Sequence, residues 1–201
     1  LELGFGCDEG FGPHKKRAAE KVSETAKELF YKRGIRAVGV DEIVTQAGVT
    51  KPSLYRTYPS KDDLIGSCLR EHAEEARTRF EQAVASAPGN PRQQLRNAIR
   101  VFAELAAGAE FRGCPIANAA VEFPEPNHPV HLLAREMKRE NRARWLSLVR
   151  QLDVDDPEAL ADGLLLLGEG AASACQSYGC GGPAVALVKA AEALIDSHLK
   201  A

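Results

Sequence analysis

Residues 34–61 read GIRAVGVDEIVTQAGVTKPSLYRTYPSK, and the parsing of this stretch decides the fold. Val40, Ile43, Val44 and Ala47 recur at steps of three and four, which predicts a short helix over 40–47 with one apolar face. Gly48 can take the left-handed conformation that ends a helix and turns the chain sharply. Thr50 supplies a capping hydroxyl for a second helix over 51–58, and Pro52 is tolerated in its first turn, where an N–H would have no helical partner. Leu54 and Tyr58 face back toward a core, and Pro59 ends the helix. Ser60 and Asp63 then form an S-x-x-D capping box for a third. Two helices around a glycine turn can lay the second helix in a DNA major groove.

On that helix, Lys51, Ser53, Arg56 and Thr57 lie on the outward face. Arg56 suits a bidentate contact to guanine, and Lys51 suits a guanine or a phosphate. Tyr55, Tyr58 and Lys61 are placed for phosphates, as are the N–H groups of the helix starts at Gly39, Thr50 and Ser60. The charge distribution agrees. Residues 14–61 hold eleven basic and five acidic side chains, whereas the rest of the chain holds fifteen basic and twenty-three acidic. A basic quarter on an acidic body points to a polyanionic partner for that quarter, although the same charges also suit a solvated helix face.

Residues 1–12 carry four glycines without periodicity and are expected to be a flexible N-terminal tail. A helix should start at Pro13 or His14 and run to Gly34 on the stripe Ala18, Val22, Ala26, Leu29 and Phe30. Beyond 61 the periodicity predicts helices over 61–85 and 91–107, a loop plus helix over 111–122, and further helices over 130–152, 157–178 and 183–199. No strand pattern or internal repeat appears, so the expected fold class is all-α with about nine helices. The expected division is a tail (1–12), a helix-turn-helix DNA-binding domain (13–60) and a helical ligand-binding and dimerisation domain (61–201).

The chain has 201 residues, 44% hydrophobic and 27% charged, enough for a sizeable core. Cys7, Cys68, Cys114, Cys175 and Cys180 are too scattered for a zinc pattern or a disulfide framework, so reduced thiols in the cytoplasm are expected. The N-terminus shows no secretory signal, and the longest uncharged stretch, 170–188, is too polar and too broken for a membrane span. Neither a nucleophile elbow nor a phosphate-binding glycine loop is present, so no enzymatic activity and no cofactor are expected.

Residues 14–64 resemble the N-terminal domain of the TetR (tetracycline-repressor-like) transcriptional regulators. The resemblance is carried above all by Ala47-Gly48-Val49-Thr50-Lys51 and Leu54-Tyr55-Arg56-Thr57-Tyr58-Pro59-Ser60-Lys61. Residues 112–123, RGCPIANAAVEF, resemble a stretch found in a subset of these regulators. The resemblance implies a homodimer on a palindromic operator, usually a repressor, with a small-molecule pocket in the C-terminal body and release of DNA on ligand binding. It gives DNA-facing roles to Thr50, Lys51, Ser53, Tyr55, Arg56, Tyr58 and Lys61. Gly39 departs from the family, which often has Ser or Thr there, so a hydroxyl contact to phosphate is lost.

For the implied dimer, small residues on the 157–178 helix allow close helix approach. The expected interface is Leu164, Leu167, Gly168, Ala171 and Cys175 with Val188 and Leu194 of the last helix, and the same residues also suit internal packing. For the implied pocket, Phe80, Phe102, Leu105, Phe111, Ile116, Asn118, Glu122, Trp145 and Val149 combine apolar bulk with a few polar groups. Asn118 and Glu122, one turn apart, need partners if buried, which a ligand, water or Arg112 can supply. Ligand binding is expected to move the 61–85 helix, and with it Lys61 and the reading helix. Two alternatives stand beside this reading: a thiol-responsive regulator using Cys114, and a metal-binding helical enzyme using His128 and His131 with Cys114 and Glu122.

Overall fold

The computed structural model describes residues 18–179 and 181–200. The expected tail, the start of the first helix, Cys7 and Cys180 lie outside the described residues. Among the described residues there are nine α-helices and no strand. They are α1 (Ala18–Arg33), α2 (Val40–Ala47), α3 (Lys51–Thr57), α4 (Lys61–Ala85), α5 (Pro91–Ala106), α6 (Pro115–Glu122), α7 (Pro129–Val149), α8 (Pro157–Tyr178) and α9 (Leu187–His198).

Local chemistry sets the ends. Gly48 adopts φ 64°, ψ 38° after α2, the left-handed region where a side chain would be strained. The side chains of Thr50, Ser60, Asn90 and Asp156 accept backbone N–H groups at the starts of α3, α4, α5 and α8. At Ser60 the box closes both ways, because its hydroxyl also donates to Asp63 Oδ2 at 2.7 Å. Each such cap is worth about 1 kcal/mol. Two boundaries differ from expectation by more than a residue, and the first is that α7 ends at Val149 rather than at 152. The second is that the last helix does not start at Pro183; residues Pro183–Ala186 form a 3-10 turn and α9 begins at Leu187.

The buried side chains form two clusters. The first joins Val22, Phe30, Ile43, Val44 and Leu54 of α1–α3 to Leu64, Ile65 and Leu69 of α4, and also to Ile116, Ala119 and Phe123 around α6 and Val130, Ala134 and Met137 of α7. The second joins Leu95, Ile99, Leu146, Val149, Leu160, Leu164, Ala191 and Ile195 of α5, α7, α8 and α9. Burying a Leu such as Leu54 or Leu64 contributes about 1.5–3 kcal/mol. The core under α1–α3 therefore does not stop at residue 60. It continues through the first turns of α4 into α6 and α7, so the reading helix shares a packed interior with the body.

Candidate nucleic-acid interface and the cavity behind it

The outer face of α3 presents Lys51, Tyr55, Arg56 and Thr57 to solvent, while Leu54 on the opposite face is fully buried. This is the orientation a groove-reading helix needs. Thr50, exposed at the N-cap, takes the Ser53 N–H, and Ser53 is half-buried. Arg56 Nη2 donates to Ser53 Oγ at 3.3 Å, so the guanidinium is held beside α3 without a carboxylate on it in any described contact. Lys51 Nζ pairs with Asp41 of α2 at 2.7 Å. That pair is exposed and screened by solvent, so it is readily exchanged for a phosphate. Tyr58 is half-buried against the first core with its backbone N–H on Leu54 O, whereas Tyr55 stands free at the surface. Gly39 caps α2 without any side-chain bond, as its lack of a hydroxyl requires.

Lys61 departs from expectation. Its Nζ donates to Ile35 O at 2.7 Å and lies 5.8 Å from the centre of the Phe30 ring. Burial lowers its pKa, with Glu122 and Asp62 opposing. The ammonium is directed into the protein, where it pins the loop between α1 and α2 to the start of α4, and it does not face outward toward a phosphate. Lys61→Met is therefore expected to lower the melting temperature by a few degrees, from a loss of about 1 kcal/mol. The salt dependence of DNA binding should stay unchanged, whereas loss of a phosphate contact would reduce that slope by about one. Thermal melts and salt titrations of the two proteins check this.

The same loop is gripped from the other side by α6. Glu122, expected as a ligand contact, places Oε1 on the Ile35 N–H at 2.9 Å and Oε2 on the Arg36 N–H at 2.8 Å. Gly34 makes the approach possible, because its φ is +88° and a Cβ there would lie 3.3 Å from Glu122 Oε2. Arg36 adds an ion pair to Glu125 at 3.2 Å and stacks over Phe123. The other end of α6 is tied to α1. The Tyr31 hydroxyl donates to Gly113 O at 3.2 Å and accepts the Arg112 N–H at 2.6 Å, and Arg112 Nη1 reaches Lys32 O. Thus α6 is fastened at both ends to the C-terminal part of α1 and the loop that leads into α2.

Behind α6 lies a cavity of about 710 Å³, bounded by α1, α4, α5, α7 and α8 and mostly apolar. Phe80 and Trp145 line it as a tilted pair 5.2 Å apart, and Phe102 and Phe111 as an edge-on pair at 6.5 Å. Leu105, Ile116 and Asn118 also line it, and Asn118 Nδ2 is engaged with Arg112 O at 2.9 Å. Glu122 lies at its edge with both oxygens taken up by the loop. Val149 does not line it; the side chain is fully buried in the second core. Sequence reasoning missed Tyr31, His72 and Lys138, which also line the wall. His72 has its pKa lowered by burial and, secondarily, by Arg79, so it is held neutral.

His128 and His131 have other work than metal binding. His128 Nδ1 caps α7 by accepting the Val130 N–H at 3.2 Å, with its ring stacked 4.5 Å from Phe123, and His131 Nδ1 meets Phe123 O at 2.7 Å. The described residues bring together no group of three or more His, Cys, Asp or Glu side chains suited to a metal ion. No described helix is long and apolar enough to cross a membrane.

The residues expected at a dimer interface on α8 and α9 differ in exposure. Leu164, Ala171 and Cys175 are buried inside the protomer, Gly168 sits 3.8 Å from Phe102 by its would-be Cβ, and Leu167, Val188 and Leu194 pack partly buried against the second core. The exposed stripe of α8 is instead Leu166, Gly170, Ser173 and Ser177, with Tyr178 at its end and Val185 beyond the turn.

Comparison with known proteins agrees with this geometry. The family profile "Bacterial regulatory proteins, tetR family" matches residues 23–68, from α1 into α4. The chain is 40% identical over 77 residues to the HTH-type transcriptional activator FasR of Mycolicibacterium smegmatis, a match that spans 38% of this chain and only 35% of FasR. It is 25% identical over 154 residues to the HTH-type transcriptional regulator YjdC of Escherichia coli, covering 77% of this chain and 81% of that one. Among solved structures, a TetR-family transcriptional regulator from Streptomyces coelicolor superimposes with a TM-score of 0.80 at 30% identity, covering 90% of this chain and 93% of that chain. With the reading helix, its buried support and this likeness over nearly the full length of a solved relative, the chain belongs to the TetR family of bacterial regulatory proteins.

Proposed function

We propose that this transcriptional regulator binds a two-fold symmetric DNA site as a homodimer through α3, represses by occupying that site, and leaves it when a small molecule fills the cavity behind α6. The observation that carries the reading is the double fastening of α6, with Glu122 on Ile35 and Arg36 at one end and Tyr31 on the Arg112–Gly113 loop at the other. A molecule that pushes on the cavity face of α6 pulls on the loop that sets α2 and α3. Helix α4 takes part through Lys61, so both walls act on the same loop. The DNA contacts are assigned to Thr50, Lys51, Ser53, Tyr55, Arg56, Thr57 and Tyr58, within a unit ending near residue 60. The remainder of the chain holds the ligand and the dimer contact, in the cytoplasm where the DNA lies.

Duplex DNA binding followed by fluorescence anisotropy tests the first step. Affinity should fall linearly with the logarithm of salt, with a slope of about −0.9 per phosphate contact. Absence of duplex binding at low salt would overturn it.

The dimer contact falls on the exposed stripe of α8. Leu166, Tyr178 and Val185 are each more than 70% exposed in the protomer, an unusual concentration of bare apolar side chains on one hairpin. Gly170 and Ser173 beside Leu166 let a second helix come close. Leu166→Glu is expected to yield a folded monomer by sedimentation velocity, with the helical circular dichroism unchanged. A dimer of wild-type strength in that variant would remove α8 from the contact.

A further inference from the structure

Most charged side chains on the cavity wall are already matched. Lys27 holds Glu71 at 2.9 Å and Glu75 at 3.4 Å, and Lys138 is shared by Glu169 and the Cys114 Sγ. Glu28 holds Lys32 at 2.8 Å, and Glu122 is taken up by the loop. Glu110 and Glu140 are exposed. The two arginines of the wall differ from these. Arg144 Nη1 donates to the Asn141 carboxamide oxygen at 3.5 Å. Arg79 lies 4.0 Å from Glu75, a carboxylate that Lys27 already holds, and its enclosed Nε has no hydrogen-bond partner among the described residues. The Arg79 side chain is still 36% exposed, so its outer nitrogens can be reached. It is a guanidinium with donors to spare.

His72 stands about two turns before Arg79 on α4, with Ala76 between them on the cavity-lining face. Helical side chains lean toward the helix N-terminus, so Arg79 reaches back toward His72 over a methyl group that leaves the space open. The His72 ring registers the local field. Burial lowers its pKa most, and Arg79, Lys138 and Lys27 lower it further, opposed by Glu75. The ring is therefore neutral, with one N–H to donate, in a region of positive potential. We infer that the cavity takes an amphipathic organic acid, an aryl or alkyl carboxylate, whose carboxylate is held by Arg79 and the His72 N–H while its carbon skeleton lies against the Phe80–Trp145 and Phe102–Phe111 pairs. The inference rests on the reading that the cavity is the effector site.

One guanidinium fork and one N–H match the charge and the two oxygens of a single carboxylate. The apolar wall then excludes water from that contact, which strengthens it. A cavity of about 710 Å³ also has the size of a small-molecule site. An amphipathic amine fits the same aromatic walls but not their charge. It would meet the field of Arg79, Lys138 and Lys27 at His72, and the wall glutamates are either engaged or exposed.

The test is calorimetric titration of the full chain with 4-phenylbutanoate and octanoate, beside the amide and the amine of each skeleton. Trp145, the one tryptophan of the chain, lines the cavity, so its fluorescence reports whether a compound enters there. Each acid should bind about tenfold or more tightly than its amide, the amines should bind weakest, and Trp145 emission should change in step. Arg79→Gln should bring the acids down to the affinity of the amides and leave the amides as they were, whereas a collapsed cavity would weaken both. Amides or amines that match the acids in wild type would overturn the inference and leave the cavity a ligand site of another class. A folded Arg79→Gln that keeps wild-type affinity for the acids would overturn the carboxylate seat. Acid binding without a Trp145 response, or failure of all six compounds to bind, would overturn it too. Acids that bind as expected and leave DNA bound would overturn only the release of DNA under Proposed function, since the calorimetry needs no DNA.

Discussion

Glu122→Ala is expected to lower the melting temperature by about 6–12 °C and to weaken DNA binding, although residue 122 lies on α6 and not on the helix proposed to read DNA. The carboxylate accepts two backbone N–H groups, Ile35 and Arg36, at 2.9 and 2.8 Å. Hydrogen bonds to a charged acceptor contribute about 1.5–3 kcal/mol each, and partial exposure of the site argues for a combined loss of about 3 kcal/mol. For a chain of this length each kcal/mol moves the midpoint by about 2–4 °C. Glu122→Gln should recover little, because a carboxamide offers one oxygen and turns an NH₂ toward the second N–H donor. The alternative expectation, that Glu122 meets a ligand, makes the opposite forecast: a normal melting temperature with altered effector response. A thermal melt and an anisotropy titration on one preparation separate the two.

Arg56→Ala is expected to weaken binding to a preferred DNA site by about 10- to 100-fold, the 1–3 kcal/mol carried by a good bidentate base contact. Its melting temperature should match wild type within about 1 °C, since Arg56 is exposed and its described partner is only Ser53. Lys51→Ala should do less. Lys51 must first leave Asp41, so part of what it gains from DNA offsets a contact already made in the free protein. Retained affinity in Arg56→Ala with unchanged site preference would move base reading away from the middle of α3.

Local signals were legible where a single residue type fixes a backbone event. Gly48, Thr50, Pro59 and the Ser60–Asp63 box placed α2, α3 and α4 to within a residue, because caps and turns are decided by near neighbours. The break at Asn90-Pro91 was equally plain. Long-range partners were not legible. Glu122 lies 86 and 87 positions from the N–H groups it holds, and Lys61 lies 26 from its carbonyl, so nothing in the spacing couples them. A lysine in a basic segment next to a reading helix suggests phosphate, and only the packing shows it turned inward. On α8 the signal was present but outweighed by the run of small residues. Glu158, Asp162, Glu169, Ser173 and Gln176 recur at steps of three, four and seven, so the helical period sets Leu166 beside a polar face and Leu164 on the opposite side, as their exposure and burial show. Val149 was misplaced because an apolar residue fits a cavity wall and a core equally well.

The most direct measurement of the central claim is genome-wide selection of DNA fragments by the purified protein, run beside Arg56→Ala. The expected result is enrichment by the wild type of fragments sharing an inverted repeat, with half-sites about one helical turn apart, roughly 34–36 Å centre to centre, and loss of that enrichment in the variant. Fragments enriched without any symmetric element, or the same set enriched by both proteins, would contradict a dimer that reads DNA through α3.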